Sequence, residues 1–369
     1  MNTSYHIAHL HTSPAWGGGE YQVLYLLEWL FRRQVDATLF AHPWGKLFMR
    51  ADEKGLPVRG IPSAAFFPIL PFCLSSLVDS MSDVGVNLIH AHDSLATTIG
   101  IRVARRLNVP LVISRRIASP MRRNPLSRRK YSPRNIAAVI AISDTVRDVF
   151  GKTANFPMDR IFVAPTGIDI RALNNIESDR EFRRSMGGAH IVVGIGKLAP
   201  KKNWQFMVRV AAELVKTGVD IQWCLAGDGP ERKRLQALVN ELGVSSRFHV
   251  LGFRTDAARI LKNADLLFFP SLMEGASVTV RTAMLLGTPV VAVDAPGTME
   301  SLAGHGWIIK SGNVTDAAQS VVQALTDKEK RDAVCKAARE SAISRFSFEK
   351  TVDSTIAVYE RILDRFVKT

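Results

Sequence analysis

Ile191-Val192-Val193-Gly194-Ile195, followed at once by Gly196-Lys197-Leu198-Ala199-Pro200-Lys201-Lys202-Asn203, is the stretch on which the reading of the fold turns. Five apolar or small residues without polar alternation read as a strand covered on both faces, as in a parallel sheet flanked by helices. The run ends at a glycine and opens into a basic loop. Open α/β sheets bind ligands outside the C-terminal ends of their strands. Lys197 and Lys202 stand there, where two ammonium groups can neutralise a diphosphate as it departs. Taken alone, three lysines read more simply as a solvated basic loop.

The same pattern extends in both directions. Towards the C-terminus, Ile221–Ala226, Phe248–Leu251, Leu266–Phe269 and Val290–Val293 read as strands. Towards the N-terminus, a polar stretch between Asp169 and His190, with Gly187-Gly188, interrupts the alternation. Before it, Tyr5–Leu10, Val35–Phe40, Asn87–His92, Pro110–Ser114, Ala137–Ile142 and Ile161–Ala164 read as strands, and Glu20–Arg33 and Leu95–Leu107 as helices. Strands and helices in turn predict an α/β chain of two doubly wound, Rossmann-like parallel-sheet domains in series. The expected division is 1–170, a linker over 171–189, a second domain over 190–348, and a final helix over 349–369. A length of 369 residues, 47% of them apolar, suits two separate cores.

No apolar run reaches the roughly 18 residues of a membrane-spanning helix. The nearest, Ala64–Val78, is broken by Pro68 and Pro71. Residues 1–11 lack the pattern of a secretory signal. Cys73, Cys224 and Cys335 lie far apart, without metal spacing, which suits a reducing cytosol. The net charge of +14 implies a polyanionic partner, and it is concentrated. Arg115, Arg116, Arg122, Arg123, Arg128, Arg129, Lys130 and Arg134 fall in one segment that holds no acid. Tyr131 is its only aromatic residue, so a base-stacking platform for nucleic acid is not expected.

Four further segments can carry chemistry. Gly17-Gly18-Gly19-Glu20 follows the first strand and opens a helix, where backbone amides and the helix N-terminus favour an anion. A tight turn reads equally well, and the G-x-G-x-x-G spacing of a dinucleotide site is absent. Ala226-Gly227-Asp228-Gly229-Pro230 ends a strand in a turn under the expected nucleotide pocket, or in a plain β-turn. Glu274-Gly275-Ala276-Ser277 precedes a helix over Val278–Leu286 and can hold sugar hydroxyls beside a phosphate, with simple capping by Ser277 as the alternative. His90-Ala91-His92-Asp93 ends a strand with both histidines on one face. No further ligands stand at metal spacing, so no metal is expected; His92 reads as a polar cleft residue and His90 as packed.

Together these segments resemble the retaining glycosyltransferases of family 4, which have the GT-B fold. The resemblance covers nearly the whole chain: Gly17–Glu20, the His92 strand end, Ala141-Ile142-Ser143, Gly167-Ile168-Asp169, Gly196–Asn203, Gly227–Pro230, Asp265–Pro270, Glu274–Met284 and the helix of Tyr359. It implies two domains facing a central cleft, with the last helix packing back towards the first domain. It implies that Lys197 and Lys202 contact the donor diphosphate, that Glu274 contacts the donor sugar, and that His92 lies near the reacting sugar. Gly18, Gly19, Gly196, Gly227, Gly229, Gly275, Ala276, Ser277 and Thr282 would complete the donor site. Three positions depart from the family pattern. Thr282 stands where a glutamate usually holds the ribose, Thr166-Gly167-Ile168-Asp169 replaces Asn-Gly-Val-Asp, and Ser114-Arg115-Arg116 replaces Thr-x-His.

The implied activity is metal-independent retaining transfer of a hexosyl or heptosyl group from a nucleotide-diphosphate sugar, with no cofactor. The expected acceptor is a glycan or lipid-linked glycan of lipopolysaccharide or another surface polysaccharide. Arg115, Arg116, Arg122, Arg123, Arg128 and Arg129 are expected to meet that acceptor or the anionic inner face of the membrane, on an otherwise cytoplasmic protein that binds no nucleic acid. A nucleotide-sugar epimerase of the same fold would not need the basic surface, and a basic nucleic-acid binder would show salt-sensitive DNA binding without donor turnover.

Overall fold

The structure, a computed structural model, describes residues 5–62, 71–121 and 124–367. It divides into two compact units, residues 1–167 with 348–369, and residues 168–347.

The first unit is built on a seven-stranded sheet. Its strands are β1 (His6–His11), β2 (Ala37–Ala41), β3 (Val58–Gly60), β4 (Val86–Ala91), β5 (Leu111–Arg115), β6 (Ala138–Ala141) and β7 (Ile161–Val163), in spatial order β3-β2-β1-β4-β5-β6-β7. All pairings are parallel. One face packs on Ile99, Val103, Val146 and Phe150. The other packs on Leu26, Leu30, Val352, Val358, Tyr359 and Ile362, so the last helix, Phe348–Val367, closes this unit's core.

The second unit holds β8 (His190–Ile195), β9 (Ile221–Ala226), β10 (Phe248–Gly252), β11 (Leu266–Phe269), β12 (Val290–Val293) and β13 (Trp307–Ile309), also all parallel, in order β10-β9-β8-β11-β12-β13. The stretch Ile191–Ile195 is buried throughout, as its uninterrupted apolar run predicts. Segment 171–189, expected as a linker, carries two short helices, Ile170–Asn174 and Arg180–Met186. Leu173, Phe182 and Met186 pack into this unit's core, which is why the stretch is ordered despite its polarity.

Helix starts follow local chemistry. Asp93 accepts from the Ala96 amide at the start of Ser94–Leu107, and Ser143 from Val146 at the start of Asp144–Ala154. Such caps satisfy amides that the helix leaves unpaired. The strands β3 and β13 have no expectation in the sequence reading; each is three residues long. The apolar run at 64–78 lies in part outside the described residues. Its second half falls in the helix Pro71–Asp83, where Leu77 is buried. Among the described residues no helix is long and apolar enough to cross a membrane.

Candidate active site

In an open parallel sheet, loops diverge to opposite faces where the strand order reverses, leaving a crevice at the strand C-termini. The second unit reverses between β8 and β11. From β8 come Gly196, Lys197 and the turn Pro200–Lys202, and from β11 come Ser271 and Glu274. The loops are joined there. Lys202 Nζ donates to Glu274 Oε1, Ser271 Oγ donates to the same oxygen at 2.7 Å, and the Leu272 amide reaches the Lys201 carbonyl at 2.9 Å. The Lys202 ammonium lies 5.1 Å from the Phe269 ring centroid. Both members of the ion pair are mostly covered, at 16% and 11% side-chain exposure, whereas Lys197 is exposed.

Beside this pair is a cavity of about 360 Å³, lined by Ile195, Gly196, Lys197, Ala226, Gly227, Asp228, Phe253 and Arg254. Its floor requires glycine for steric reasons. A Cβ on Gly227 would lie 1.9 Å from the Gly196 carbonyl oxygen, and one on Gly229 would lie 2.4 Å from that of Leu198. These glycines let the loops after β8 and β9 touch, with Gly196 bonded to Ala226 and Leu198 to Asp228. Gly227 thus forms wall, and Gly229 lies behind it. Phe253 and Arg254 escaped the sequence reading because the segment after β10 held no glycine or lysine cluster. An aromatic-basic pair just past an apolar strand was the available signal.

Ser277, 3% exposed, caps the helix Val278–Leu286 by accepting from the Val280 amide at 3.3 Å. Gly275 and Ala276, just before it, are half-buried. Thr282 lies within that helix at 8% exposure. Its neighbour Arg281 is buried outright, with its guanidinium 4.0 Å from the Phe346 ring centroid and its pKa pushed down to about 10 by burial. Nothing in its sequence neighbourhood marks an arginine for the core.

The first unit reverses between β1 and β4. The parallel register sets His9 opposite His90, and the pleat carries His11 and His92 to the same edge. A hydrogen-bonded chain results. Arg116 Nη1 donates to the His92 carbonyl at 2.8 Å and Arg116 Nη2 lies 3.0 Å from His92 Nδ1. His92 Nε2 lies 2.9 Å from His9 Nδ1. His90 meets the Tyr359 hydroxyl at 2.6 Å and Ser114 Oγ at 2.8 Å. His11 pairs with Glu20 at 3.3 Å, and Asp93 binds both the amide and the hydroxyl of Thr12. His92 and Arg116 are the predicted site residues in this network, Arg116 having been expected at the acceptor or membrane instead. His9 and His11 were missed because only the β1–β4 pairing brings them to His90 and His92, and Tyr359, named only as part of the last helix, reaches His90 from that helix.

Burial pushes the His9 ring down to about 3 and holds His90 and His92 well below the usual histidine range, with the Arg116 charge adding to the effect. Burial also lowers Arg116, to about 10, against the pull of Glu20 and Asp93. His9, His90 and His92 bring ring nitrogens within 4.8 Å of one another, the spacing of a three-histidine metal site. The fit is poor. A guanidinium faces His92 at 3.0 Å, and His9 and His92 share a hydrogen bond at 2.9 Å. A cation there would have to displace both contacts and sit beside a fixed positive charge.

Two expectations for the basic segment need correction. Arg115 and Arg116 do not form a free cationic surface. Arg115 donates to the Ser119 carbonyl at 2.7 Å and lies over Phe150, and Arg116 turns in to the two acceptors of His92. Unpaired carbonyl and ring acceptors at the end of β4 and in the loop after β5 draw them inward. Arg128 and Arg129 are exposed on the short helix Pro125–Lys130, beside Leu126 at 79% exposure. Arg122 and Arg123 lie outside the described residues. Gly18 and Gly19 open the helix Gly18–Arg32, and a Cβ on either would meet nothing within 4 Å.

Comparison with known proteins follows the same division. The glycosyltransferase family 4 model matches residues 16–172, and the glycosyl transferases group 1 model matches residues 175–341. Alpha-D-kanosaminyltransferase of Streptomyces kanamyceticus is 23% identical over 297 residues, covering 74% of this chain and 77% of its own. The UDP-Gal:alpha-D-GlcNAc-diphosphoundecaprenol alpha-1,3-galactosyltransferase of Escherichia coli is 22% identical, with 96% of each chain covered. Among solved structures, HepE of Anabaena in complex with UDP superposes with a TM-score of 0.81 at 21% identity, over 96% of this chain and all of that one. Two all-parallel sheets with this succession of matches give one answer: the chain belongs to glycosyltransferase family 4 and has the GT-B fold.

Proposed function

We propose that the protein transfers a hexosyl or heptosyl group from a nucleotide-diphosphate sugar to a glycan or lipid-linked glycan acceptor, with retention at the anomeric carbon. The observation that carries this reading is the Lys202–Glu274 pair, set at the β8/β11 reversal beside a cavity of about 360 Å³. Phe253 at the cavity rim suits a nucleobase, since an exposed aromatic face stacks, and Arg254, whose guanidinium is held by both oxygens of Asp256, would offer its remaining donors to the anionic tail. Lys197 and Lys202 would then face the diphosphate, and Glu274, already held by Ser271, would accept from sugar hydroxyls.

In the proposed step the bond from the anomeric carbon to the phosphate oxygen breaks and the acceptor oxygen bonds from the same face. The acceptor proton passes to the departing phosphate oxygen. Lys197 and Lys202 stabilise the charge that accumulates there, the service a divalent cation supplies in other transferases. A surface-glycan pathway is favoured by the galactosyltransferase relative, which acts on a diphosphoundecaprenol-linked sugar. Exposed Arg128 and Arg129, with Leu126 and Ile117 beside them at 79% and 56% exposure, suit peripheral attachment to the anionic inner face of a membrane.

Saturation-transfer NMR against UDP-, GDP- and ADP-sugars, followed by transfer assays on the donor that binds, tests the proposal. One nucleotide sugar should bind and turn over with EDTA present. Binding by none of them would overturn the reading, and complete loss in EDTA restored by Mg²⁺ would overturn its metal-free form. Co-sedimentation with anionic vesicles tests the membrane arm. Binding should fall with salt and fall again when Arg128 and Arg129 become serine.

A further inference from the structure

The histidine chain of the first unit does more than fill the β1/β4 reversal. A guanidinium has donors and no acceptor. Arg116 Nη2, 3.0 Å from His92 Nδ1, can therefore only donate, so Nδ1 carries a lone pair and the ring proton sits on Nε2. Nε2–H then points along the 2.9 Å contact to His9 Nδ1, which in turn accepts, leaving the His9 proton on its own Nε2, a buried atom with no hydrogen-bond partner. The same arginine also holds the His92 carbonyl at 2.8 Å, so one planar fork grips the residue at ring and backbone together. Ser114 Oγ lies 3.3 Å from His92 Nδ1 and 2.8 Å from His90 Nε2, and its single proton can serve either ring.

The charged and titratable groups around His92 are His9 and His11 from β1, His90 from its own strand, Arg116, and Glu20 and Asp93, whose charges act on Arg116 and His11. The acids lie against His11 and act on Arg116 through their charge, and the guanidinium is what His92 meets.

We propose that Arg116 is a positioning residue, which holds His92 as the neutral tautomer protonated on Nε2, and that sugar transfer depends on Arg116 through His92. The second clause rests on the proposed transferase function; the first stands on geometry alone. Its role differs from the acceptor or membrane contact that sequence charge suggests, because the guanidinium is committed inside the unit.

The test combines a spectroscopic and a kinetic arm on the full chain. With ¹⁵N-histidine labelling, His92 is assigned by the loss of its signals in His92→Gln. In the wild type its Nδ1 should stay unprotonated and its Nε2 protonated from about pH 8 down to about pH 5, the range in which an ordinary histidine gains its charge. In Arg116→Met the two tautomers should mix, or the ring should titrate within that range. Arg116→Gln keeps one donor without the charge; it should preserve the tautomer while the acid limb of kcat moves to higher pH. Arg116→Met should lower kcat by about 10²-fold, as loss of alignment at a reacting group does, with donor KM changed less than about twofold. Arg116→Lys should recover part of that loss. An identical His92 pattern in wild type and Arg116→Met would overturn the proposal, as would equal kcat losses in the Met, Gln and Lys variants with an unchanged pH profile. If wild type binds none of the donors, the transferase reading fails and the resonance arm alone decides what Arg116 does. If Arg116→Met does not fold, the Gln and Lys variants carry both arms.

Discussion

The two sheets reverse their strand order in the same way and furnish the two crevices with opposite chemistry. At β8/β11 the groups are charged and joined across diverging loops: Lys202 on Glu274, both mostly covered, with Lys197 exposed beside a cavity. At β1/β4 the core of the crevice is rings held neutral and packed into the unit, with His9 and His90 at 0% and 1% exposure, and the charges of Arg116, Glu20 and Asp93 border them. A crevice that receives a diphosphate needs permanent cations at its surface. A crevice that only has to present fixed hydrogen-bonding groups can bury most of them against neighbours. Here only some ring nitrogens are satisfied: His9 Nε2 and His11 Nδ1 are buried without a hydrogen-bond partner. The first reads as a site for binding charge, the second as a scaffold for orientation.

The strongest way to break that contrast is at Lys202. Lys202→Ala should lower the transfer rate about 10²–10³-fold, the usual cost of losing one preorganised charge contact to a leaving group. Glu274→Ala should impair transfer while leaving calorimetric affinity for the free nucleoside diphosphate nearly unchanged. The double variant should fall short of the sum of the two losses, because the side chains hold each other. Near-normal turnover in Lys202→Ala would remove the charge-binding role from this crevice.

Next in size is Gly227→Ala, which probes the wall rather than the charges. The added methyl would overlap the Gly196 carbonyl oxygen, a backbone atom that cannot rotate away. We expect a loss of about 1–3 kcal/mol or more in denaturant unfolding, as for other overpacked sites. Unchanged stability would mean that the β8 and β9 loops are not in contact.

How far these features were legible in the sequence differs between the crevices for a physical reason. Strands such as Ile221–Ala226 and Leu266–Phe269 are buried on both faces, so their apolar runs mark them directly. The loop residues Lys197, Lys202 and Glu274 follow within a few positions and could be read with them. The histidine chain is assembled by the pairing of β1 with β4, about 80 residues apart, and by Tyr359 from the far end of the chain. Local pattern carries no trace of such contacts. Charge runs misled in the opposite sense. Arg115 and Arg116 look like surface in a list of eight basic residues, but Arg115 folds back on the Ser119 carbonyl of the loop that follows it and Arg116 turns to the carbonyl and ring of His92 at the end of β4.

The buried rings make a pH contrast between the units. A histidine kept neutral by folding takes up a proton more readily in the unfolded chain. Stability is therefore full above the unfolded pKa of about 6.5 and falls as pH drops below it. His9, pushed down to about 3, should alone account for about 2 kcal/mol between neutral pH and pH 5. His90 and His92 act in the same direction. In the second unit His249 is lowered too, but it is only half-buried. Hydrogen exchange at pH 5 should show amides of β1 and β4 losing protection before those of β8 and β11. Equal loss in both sheets would mean that the rings are not held neutral.

The smallest expected effect comes from Gly18→Ala, at the start of the helix Gly18–Arg32, and it sharpens the comparison with Gly227. Both glycines follow a strand end, and both were first read as donor contacts. Gly227 is required by the fold itself. At Gly18 a Cβ meets nothing within 4 Å, so packing in this unit does not demand glycine. Alanine in place of glycine usually stabilises a helix by about 0.5–1 kcal/mol, so Gly18→Ala should melt at the same temperature or slightly higher. If the glycine is there to let a ligand approach the helix N-terminus, the variant should instead raise KM for donor or acceptor several-fold with the fold intact. Unchanged KM values for both substrates together with unchanged melting would reduce the Gly17–Gly19 segment to a turn, and would leave Lys202 and Glu274 as the carriers of substrate recognition.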